Sequence, residues 1–242
     1  MQSVSLHPRL LITYSLKSEG DLDKRFSTPD IYKSNRKLLL KSLGIAPHQL
    51  IEGEQVHSNR ILRLDGENTK MWCGQKITGV DGFVTDQTDV YLLLRVADCL
   101  PVVIYDPVHH VLALIHAGWR GTLKDIHLVG LNRLIQVYQT NPKACLVWFG
   151  PSARNCCFST PDEPQQYHDS IWSSYISKRS DRYFIDLLGY QIDTLKAAGV
   201  LKKNMLVDPH CTVSDPTFFS HLRSQANQEA EGRFAVIAKL KP

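Results

Sequence analysis

The sequence of 242 residues lacks the patterns that define several large protein classes. No apolar run approaches the roughly 20 residues of a transmembrane helix, so a membrane-spanning protein is not expected. The glycine loops GxGxxG and GxxxxGKS/T are absent, which excludes two common phosphate-binding motifs. No low-complexity tract, internal repeat or Pro/Gly/Ser-rich linker divides the chain, and we predict one domain over residues 1–242.

Concentrated charge is also lacking. The net charge of +4 is mild, and the Lys and Arg residues are dispersed along the chain. No basic helix carries interleaved aromatic residues, so we expect no nucleic-acid partner. The N-terminal apolar patch LLITYSL is short and has no small-residue cleavage site, which predicts a first strand rather than a signal peptide. The expected location is the cytoplasm.

The six cysteines form no CxxC pair, and only Cys156 and Cys157 are adjacent. This spacing is typical of neither a disulfide framework nor a zinc ribbon. In the cytoplasm, thiols stay reduced and free to act as ligands or nucleophiles. Cys156, Cys157 and Cys211 are interpreted as core residues or as pocket lining, and the core interpretation is the favoured one.

Hydrophobic residues make up 43% of the chain and charged residues 21%, as in ordinary globular proteins. Apolar periodicity predicts the regular elements. Helices are predicted over 30–43, 122–139, 163–176 and 186–198. Gly44 should end the first of these, and Thr122 should cap the second. The predicted strands lie near 10–15, 49–57, 90–97, 101–105, 111–116, 144–149, 205–208 and 233–240. Since no regular βαβ rhythm is present, the predicted fold class is α+β, with mixed β-sheets flanked by helices.

Reactive side chains stand at the ends of the two most apolar strands, in RVADCLPVVIYDPVHHVLALIHAGWRGT (95–122). Asp98 and Cys99 precede the first strand, and His116 ends the second. A thiol alone in such a run is most often an inert small hydrophobe. Asp98 argues for more than packing, because a carboxylate in an apolar run needs hydrogen bonds or a cation.

The turn after His116, AGWRGT, combines small residues with the guanidinium group of Arg120. A strand, a small-residue turn and a helix together direct backbone N–H groups at an anion. A tight turn with a surface arginine explains the same pattern, and both interpretations stay open.

A third ligand candidate is His57 in IEGEQVHSNRI, at the end of another short strand. Together, His57, Cys99 and His116 offer two imidazoles and one thiolate, a set suited to zinc or copper. Three protein ligands with an open fourth position describe a catalytic metal site. The three residues follow no spacing motif, so this prediction depends on their chemistry alone.

Five segments of the sequence resemble one protein family. They are EQVHS, ADCLPVVIYDP, HAGWRGT, GPSARNCCF and CTVSDPTFFSHLR. They are similar, in the same order, to segments of the YfiH-like family, which is called the multicopper polyphenol oxidase or laccase-domain family. Its members are also described as purine nucleoside phosphorylases. The resemblance covers about residue 30 to the C-terminus.

The resemblance implies a mixed-sheet domain akin to the catalytic domain of cytotoxic necrotizing factor toxins. It implies metal ligands at His57, Cys99 and His116, and a functional arginine at Arg36. The implied partners are phosphate and purine nucleosides, namely adenosine, inosine, guanosine or methylthioadenosine. Deamination of adenosine is a further implied activity, and some bacterial members are linked to peptidoglycan editing. Departures such as QVHS for QVHG and HLRS for HRRD predict altered substrate contacts.

The leading hypothesis is a zinc-dependent purine nucleoside phosphorylase with adenosine deaminase activity. The predicted catalytic residues are Cys99, His116 and Asp98, and the predicted substrate or phosphate contacts are Arg36, Gln55, Arg120 and Arg223. Copper is a less favoured metal, because multicopper oxidases need many more histidines in HxH pairs than the ten scattered here. The oligomeric state, monomer or homodimer, is left open.

Two alternatives remain. A cysteine hydrolase or amidase, acting in peptidoglycan editing, would use Cys99 as nucleophile and His116 as base. A metal-containing binding protein without turnover would use the same residues only to shape a pocket.

Overall fold

Fifteen β-strands and six α-helices build the fold in the computed structural model, which describes residues 1–242. The strands are β1 (Gln2–Val4), β2 (Leu10–Tyr14), β3 (Leu50–Glu54), β4 (Ile61–Leu64), β5 (Lys76–Thr78), β6 (Gly82–Thr85), β7 (Tyr91–Val96), β8 (Leu100–Asp106), β9 (Val111–Ala117), β10 (Leu146–Phe149), β11 (Ser159–Thr160), β12 (Ile176–Arg179), β13 (Arg182–Ile185), β14 (Met205–Val207) and β15 (Phe234–Leu240). The helices are α1 (Pro29–Leu43), α2 (Asn68–Trp72), α3 (Trp119–Thr122), α4 (Ile126–Tyr138), α5 (Leu187–Ala197) and α6 (His221–Asn227). No helix combines the length and the apolar character that crossing a membrane requires.

The strands form two six-stranded sheets and one small three-stranded sheet. The first sheet has the order β1-β2-β15-β7-β3-β5, and the second has the order β14-β10-β8-β9-β6-β4. Both large sheets are mixed. In the first, β15 is antiparallel to β2 and β7, whereas β3 is parallel to β7 and β5. In the second, β10 is antiparallel to β8 and parallel to β14.

The two large sheets face each other across the main core. Leu94 and Val236 of the first sheet pack in this core with Phe83, Tyr105 and Trp148 of the second, and each is at most 1% exposed. Burying such a side chain stabilises the fold by about 1.5–3 kcal/mol. Helix α1 covers the outer face of the first sheet, and α4 with α5 cover that of the second. These layers confirm the predicted α+β class, with mixed sheets flanked by helices.

Helix α1 agrees with the prediction for residues 30–43 because both of its ends carry strong signals. The side chain of Thr28 accepts a hydrogen bond from the backbone N–H of Ile31, and Pro29 occupies the first helical position. Gly44 ends the helix in the left-handed conformation, with φ 65°.

The predicted helix 122–139 starts too early. Its regular part, α4, begins at Ile126, because Asp125 has a left-handed backbone conformation with φ 53°. Thr122 lies in the separate short helix α3 and does not cap α4. The turn that carries Arg120 is therefore followed by a four-residue helix.

The predicted helix 163–176 is wrong. This segment contains two short 3-10 turns, and β12 begins at Ile176. Its aromatic side chains pack in a small satellite core, where Trp172 stacks on Tyr190 of α5 with ring centroids 4.0 Å apart. Aromatic packing against a neighbouring helix thus overrides the local helical pattern.

The chain crosses from the first large sheet to the second between β7 and β8. Only residues 97–99 make this connection, and Asp98 adopts a left-handed conformation with φ 78°. Such a conformation is uncommon for a residue other than glycine. The crossing puts Cys99 at the start of β8, next to the β9 end that carries His116, since Pro101 of β8 pairs with His116.

Candidate metal centre and substrate cavity

His57, Cys99 and His116 meet at one point of the structure. Their ligand atoms all lie within 4.8 Å of one another, and Cys99 Sγ is 3.6 Å from His57 Nε2. The two imidazole rings are 4.9 Å apart between centroids. The structure thus brings together the three predicted metal ligands from the β3–β4 connection, the β7–β8 crossing and the end of β9.

A buried carboxylate, Asp81, supports both histidines. Its Oδ1 accepts hydrogen bonds from His116 Nδ1 at 2.9 Å and from the backbone N–H of His57 at 3.0 Å. Its Oδ2 accepts from the backbone N–H of Ser58 at 2.8 Å and from Ser58 Oγ at 2.7 Å. Because Nδ1 of His116 carries the donated proton, Nε2 is left as the metal-ligating atom.

The ionisation of Asp81 follows from these contacts. Burial raises the pKa of its carboxyl group, but the hydrogen bonds from His116 and Ser58 outweigh burial and lower the pKa to about 2. Asp81 is fully buried, at 0% exposure. The carboxylate therefore stays charged throughout the physiological range and orients His116.

Cys99 and His116 polarise each other in the metal-free protein. Burial raises the pKa of the Cys99 thiol, but the imidazoles of His116 and His57 lower it to about 6. Burial lowers the pKa of His116, but the Cys99 thiolate and Asp81 raise it to about 9. A thiolate beside an imidazolium is therefore the expected state near neutral pH.

Gly118 also makes this point suitable for a metal ion, because it has no side chain. A Cβ atom on Gly118 would lie 2.7 Å from His57 Cδ2 and 3.0 Å from Cys99 Sγ. Its backbone φ of −71° is accessible to any residue, so the glycine is required for space and not for conformation. Two imidazoles and one thiolate, held close by a residue without a side chain, suit a zinc or copper ion.

A cavity of about 340 Å³ opens beside the three ligands. This volume lies within the range of small-molecule sites. Of the predicted site residues, Gln55, His57, Asp98, Cys99, His116 and Arg120 line it. Arg95, Trp119, Phe158, His221 and Arg233 also line the cavity.

The lining residues carry different sequence signals. Trp119, Phe158 and His221 lie within the family-like segments HAGWRGT, GPSARNCCF and CTVSDPTFFSHLR. Arg95 and Arg233, by contrast, lie in or next to apolar strands and follow no motif. Only the pairing of β7 with β15 brings these two arginines to the same cavity.

Arg120 supplies the uncompensated positive charge at the cavity. Arg95 is paired with Glu52, and Arg233 is paired with Glu231, whereas Arg120 has no carboxylate partner. Helix α3 is too short for a helix dipole of useful size, so the predicted anion binding there depends on the side chain of Arg120.

The structure does not bring Arg36 into the cavity. Its Nε donates to Glu52 Oε1 at 3.0 Å, and the same carboxylate pairs with Arg95, which does line the cavity. Arg36 lies instead in a small neighbouring cavity with Glu52 and Arg95. Arg36 is therefore linked to the cavity through Glu52 and Arg95.

Arg223 is also held away from the cavity. Its guanidinium group donates to the backbone carbonyls of Thr212 at 2.6 Å, and of Val213 and Asp215 at 3.1 Å each. These bonds fold the segment before α6 into a compact turn. The preceding histidine of the same motif, His221, lines the cavity instead.

The carboxylate of Asp98 lines the cavity but is committed to structural hydrogen bonds. Its Oδ1 accepts from Thr212 Oγ1 at 2.7 Å, and its Oδ2 accepts from Ser220 Oγ at 3.1 Å and from the backbone N–H of Leu222 at 2.7 Å. These contacts fix the β7–β8 crossing against the start of α6. Asp98 is thus a positioning residue for Cys99, and the ligand-orienting carboxylate is Asp81.

Comparison with protein families gives one match over most of the chain. Residues 24–241 match the model of the family described as multi-copper polyphenol oxidoreductase laccase. The match spans all five motifs that carry the YfiH-like resemblance, and confirms it.

Curated relatives carry the name purine nucleoside phosphorylase. The protein named purine nucleoside phosphorylase LACC1 from Mus musculus is 33% identical over 153 residues, which are 61% of this chain and 36% of that protein. The purine nucleoside phosphorylase of Xylella fastidiosa is 29% identical over 226 residues, 87% of this chain and 79% of that protein. The crystal structure of YlmD from Geobacillus stearothermophilus superposes with a TM-score of 0.82 at 24% identity, covering 99% of this chain and 94% of that one. The last likeness shows the fold.

Proposed function

Because this chain belongs to the multi-copper polyphenol oxidoreductase laccase family, we propose that it is a zinc-dependent purine nucleoside phosphorylase that also deaminates adenosine. The observation that carries the proposal is a His57, Cys99 and His116 set in the wall of a cavity that also presents Arg120. The proposed substrates are phosphate with adenosine, inosine, guanosine or methylthioadenosine. The names of the mouse and Xylella relatives support this reaction class.

Phosphorolysis needs a site that binds phosphate and a proton donor that neutralises the negative charge on the departing purine. A phosphate oxygen forms a bond to the ribosyl C1′ while the bond from C1′ to purine N9 breaks. The electron pair of the broken bond leaves with the purine, which takes up a proton. Arg120 is the proposed phosphate contact, because its guanidinium group is the one at the cavity without a carboxylate partner.

The purine and its proton have candidate partners in the same cavity. The aromatic rings of Trp119 and Phe158 line it and offer faces on which a base stacks. His221 Nδ1 is 2.6 Å from Glu231 Oε1, which leaves His221 Nε2 free to hold a proton. We assign the proton of the departing purine to His221 and base stacking to Trp119 and Phe158.

Zinc is the proposed metal, and the ligand set suits it. His57, Cys99 and His116 would hold the ion, with Asp81 keeping the proton of His116 on Nδ1. When bound, zinc supplies Lewis acidity, which polarises a coordinated group and lowers the pKa of water toward neutrality. Deamination replaces the C6 amino group of adenine by oxygen from water, and His and Cys zinc sites are the kind that nucleobase deaminases use. A cytoplasmic location belongs to the proposal, because Cys99 must stay reduced.

One observation favours a second candidate, a cysteine hydrolase. Cys99, His116 and Asp81 form a thiol, imidazole and carboxylate series, in which His116 Nδ1 is 2.9 Å from Asp81. A nucleophile, a base and an orienting carboxylate in this order describe many hydrolases. Zinc and a free nucleophile compete for the same Cys99 thiolate, so one measurement separates them. If zinc does not protect Cys99 from iodoacetamide, the hydrolase gains support.

The primary test follows nucleoside turnover by HPLC. Zinc-loaded protein is incubated with adenosine, with and without phosphate, and adenine, hypoxanthine and inosine are quantified. Cys99→Ala is the loss-of-ligand variant, and Cys73→Ala is its matched control, since Cys73 is a half-buried thiol outside the cavity. We expect phosphate-dependent adenine release that Cys99→Ala abolishes and Cys73→Ala retains.

Inosine formation in the same samples measures the deaminase activity. Full adenine release by Cys99→Ala would refute the proposed role of the ligand set. Stoichiometric zinc without any base release would replace the enzyme proposal by a metal-containing binding protein.

A further inference from the structure

A second group of sulfur atoms lies outside the cavity. The Sγ atoms of Cys156, Cys157 and Cys211 all lie within 4.8 Å of one another, and those of Cys156 and Cys157 are 3.3 Å apart. All three residues are free thiols. Cys156 is exposed, Cys157 is half-buried and only Cys211 is buried, so the favoured core interpretation holds for Cys211 alone, and none of the three lines the cavity. We call these residues the thiol cluster.

The fold creates the thiol cluster by joining two segments. Strands β10 and β14 run parallel as neighbours, and the chain after each strand continues to the same end of the sheet. After β10, the backbone N–H of Cys157 donates to the carbonyl of Arg154 at 2.9 Å in a tight turn that presents both adjacent thiols. After β14, Cys211 pairs with Ser152 in an isolated parallel bridge. Regular backbone contacts therefore hold both segments.

The spacing of the sulfur atoms matches a metal site. A tetrahedral ion with metal–sulfur bonds of about 2.3 Å separates its sulfur ligands by about 3.8 Å. In the thiol cluster the adjacent pair is 3.3 Å apart and every separation is within 4.8 Å, distances that are compatible with that value.

A cationic side chain lies beside the thiol cluster. The guanidinium group of Arg154 interacts electrostatically with Cys211 and Cys156, and its buried Nη1 has no hydrogen-bond partner. This cation beside the cluster offsets the excess charge of three thiolates around one small ion.

We propose that Cys156, Cys157 and Cys211 bind one thiophilic metal ion of the class of monovalent copper and zinc, separate from the ion of His57, Cys99 and His116. Ligands that are all thiolates select soft ions of this class. The chain would thus hold two metal ions with different ligand sets, one with two imidazoles and one with sulfur alone. This second site does not depend on the proposed nucleoside reaction.

The test counts metal ions with monovalent copper as the probe. Metal-free full-length protein is loaded in the presence of the competing chelator bicinchoninic acid, and native mass spectrometry gives the ions bound per chain. The variants are Cys156→Ser, whose position is exposed, and Cys211→Ser, with Cys73→Ser as the matched control. Thermal unfolding of each variant verifies the fold.

We expect the wild type and Cys73→Ser to bind one more ion than Cys156→Ser. In Cys156→Ser, the affinity for the second ion should fall by more than about 10–100-fold, which is the loss that removing an outer-shell partner causes. X-ray absorption of Cys99→Ala loaded with one ion should show sulfur neighbours. The proposal is overturned if Cys156→Ser and Cys211→Ser both keep the second ion, or if the wild type binds a single ion that Cys99→Ala removes.

Discussion

Replacing Asp81 with Asn should damage the metal centre and the fold together. In the structure, the two carboxylate oxygens accept hydrogen bonds from His116 Nδ1, from the backbone N–H groups of His57 and Ser58, and from Ser58 Oγ. An asparagine amide has one acceptor oxygen and one NH2 group. Whichever way it is oriented, at least one N–H donor then faces the NH2 group without a partner.

Two independent arguments give the expected loss in the free energy of unfolding. Leaving one or two buried donors unpaired costs about 1–3 kcal/mol each. A carboxyl group whose pKa falls from 3.8 to about 2 on folding contributes about 2–3 kcal/mol at neutral pH. The two agree on a loss of about 2–4 kcal/mol in the free energy of unfolding. Because Asp81 also orients His116, zinc affinity should fall about 10–100-fold.

Urea unfolding of metal-free protein and zinc competition with a chelator measure these two effects, with Asp89→Asn as the control at an exposed acid. The difference in stability between wild type and Asp81→Asn should be complete above about pH 5 and shrink as the pH falls toward 2, because the folded carboxyl group has the lower pKa. A loss below about 0.5 kcal/mol, the size of an ordinary surface substitution, with unchanged zinc affinity would refute the reasoning.

Three further predictions concern the same site. Gly118→Ala should weaken zinc binding about 10–100-fold in a chelator competition, because its Cβ would lie 3.0 Å from Cys99 Sγ; unchanged affinity would contradict this steric argument. In metal-free protein, the rate of iodoacetamide labelling of Cys99 should fall as the pH drops through about 6. Cys73 should react only at higher pH, because burial raises the pKa of its thiol. Peptide mass spectrometry measures both rates, and equal pH profiles would count against a Cys99 thiolate. In the HPLC assay, Arg120→Met should lower kcat/KM for phosphate about 10–100-fold, whereas the exposed control Arg133→Met should leave it unchanged. Equal values for the two variants would show that Arg120 does not bind phosphate.

The fold was predictable where hydrophobic pattern and local signals agree. Strands β7, β8 and β9 are continuous apolar runs and follow the predicted bounds closely, and α1 has both of its end signals. The helix prediction for residues 163–176 failed because a contact with a residue outside the segment, the packing of Trp172 against Tyr190, decides its conformation. Short strands such as β4 and β6 depend on their neighbours in the sheet more than on their own sequence.

The candidate site was predictable in its ligands but not in its supports. His57, Cys99 and His116 have side chains whose chemistry marks them, and the structure brings them together. Asp81 is separated from His116 by 35 positions and lies in TGVDGF, where nothing in the pattern marks a functional acid. The sequence therefore favoured Asp98, the acid adjacent to Cys99, although the geometry gives that carboxylate a positioning role.

Two carboxylates with separate partners hold the segments that carry the metal ligands. Asp98 fixes the crossing that carries Cys99 through Thr212, Ser220 and the N–H of Leu222. Asp81 fixes both histidines through an independent set of bonds. Neither set of bonds uses Cys99 Sγ or the Nε2 atom of a histidine, so metal coordination by these atoms leaves both supports intact. The protein thus pays the ordering entropy of the site during folding, which leaves metal binding to depend on ligand chemistry and on the space that Gly118 leaves.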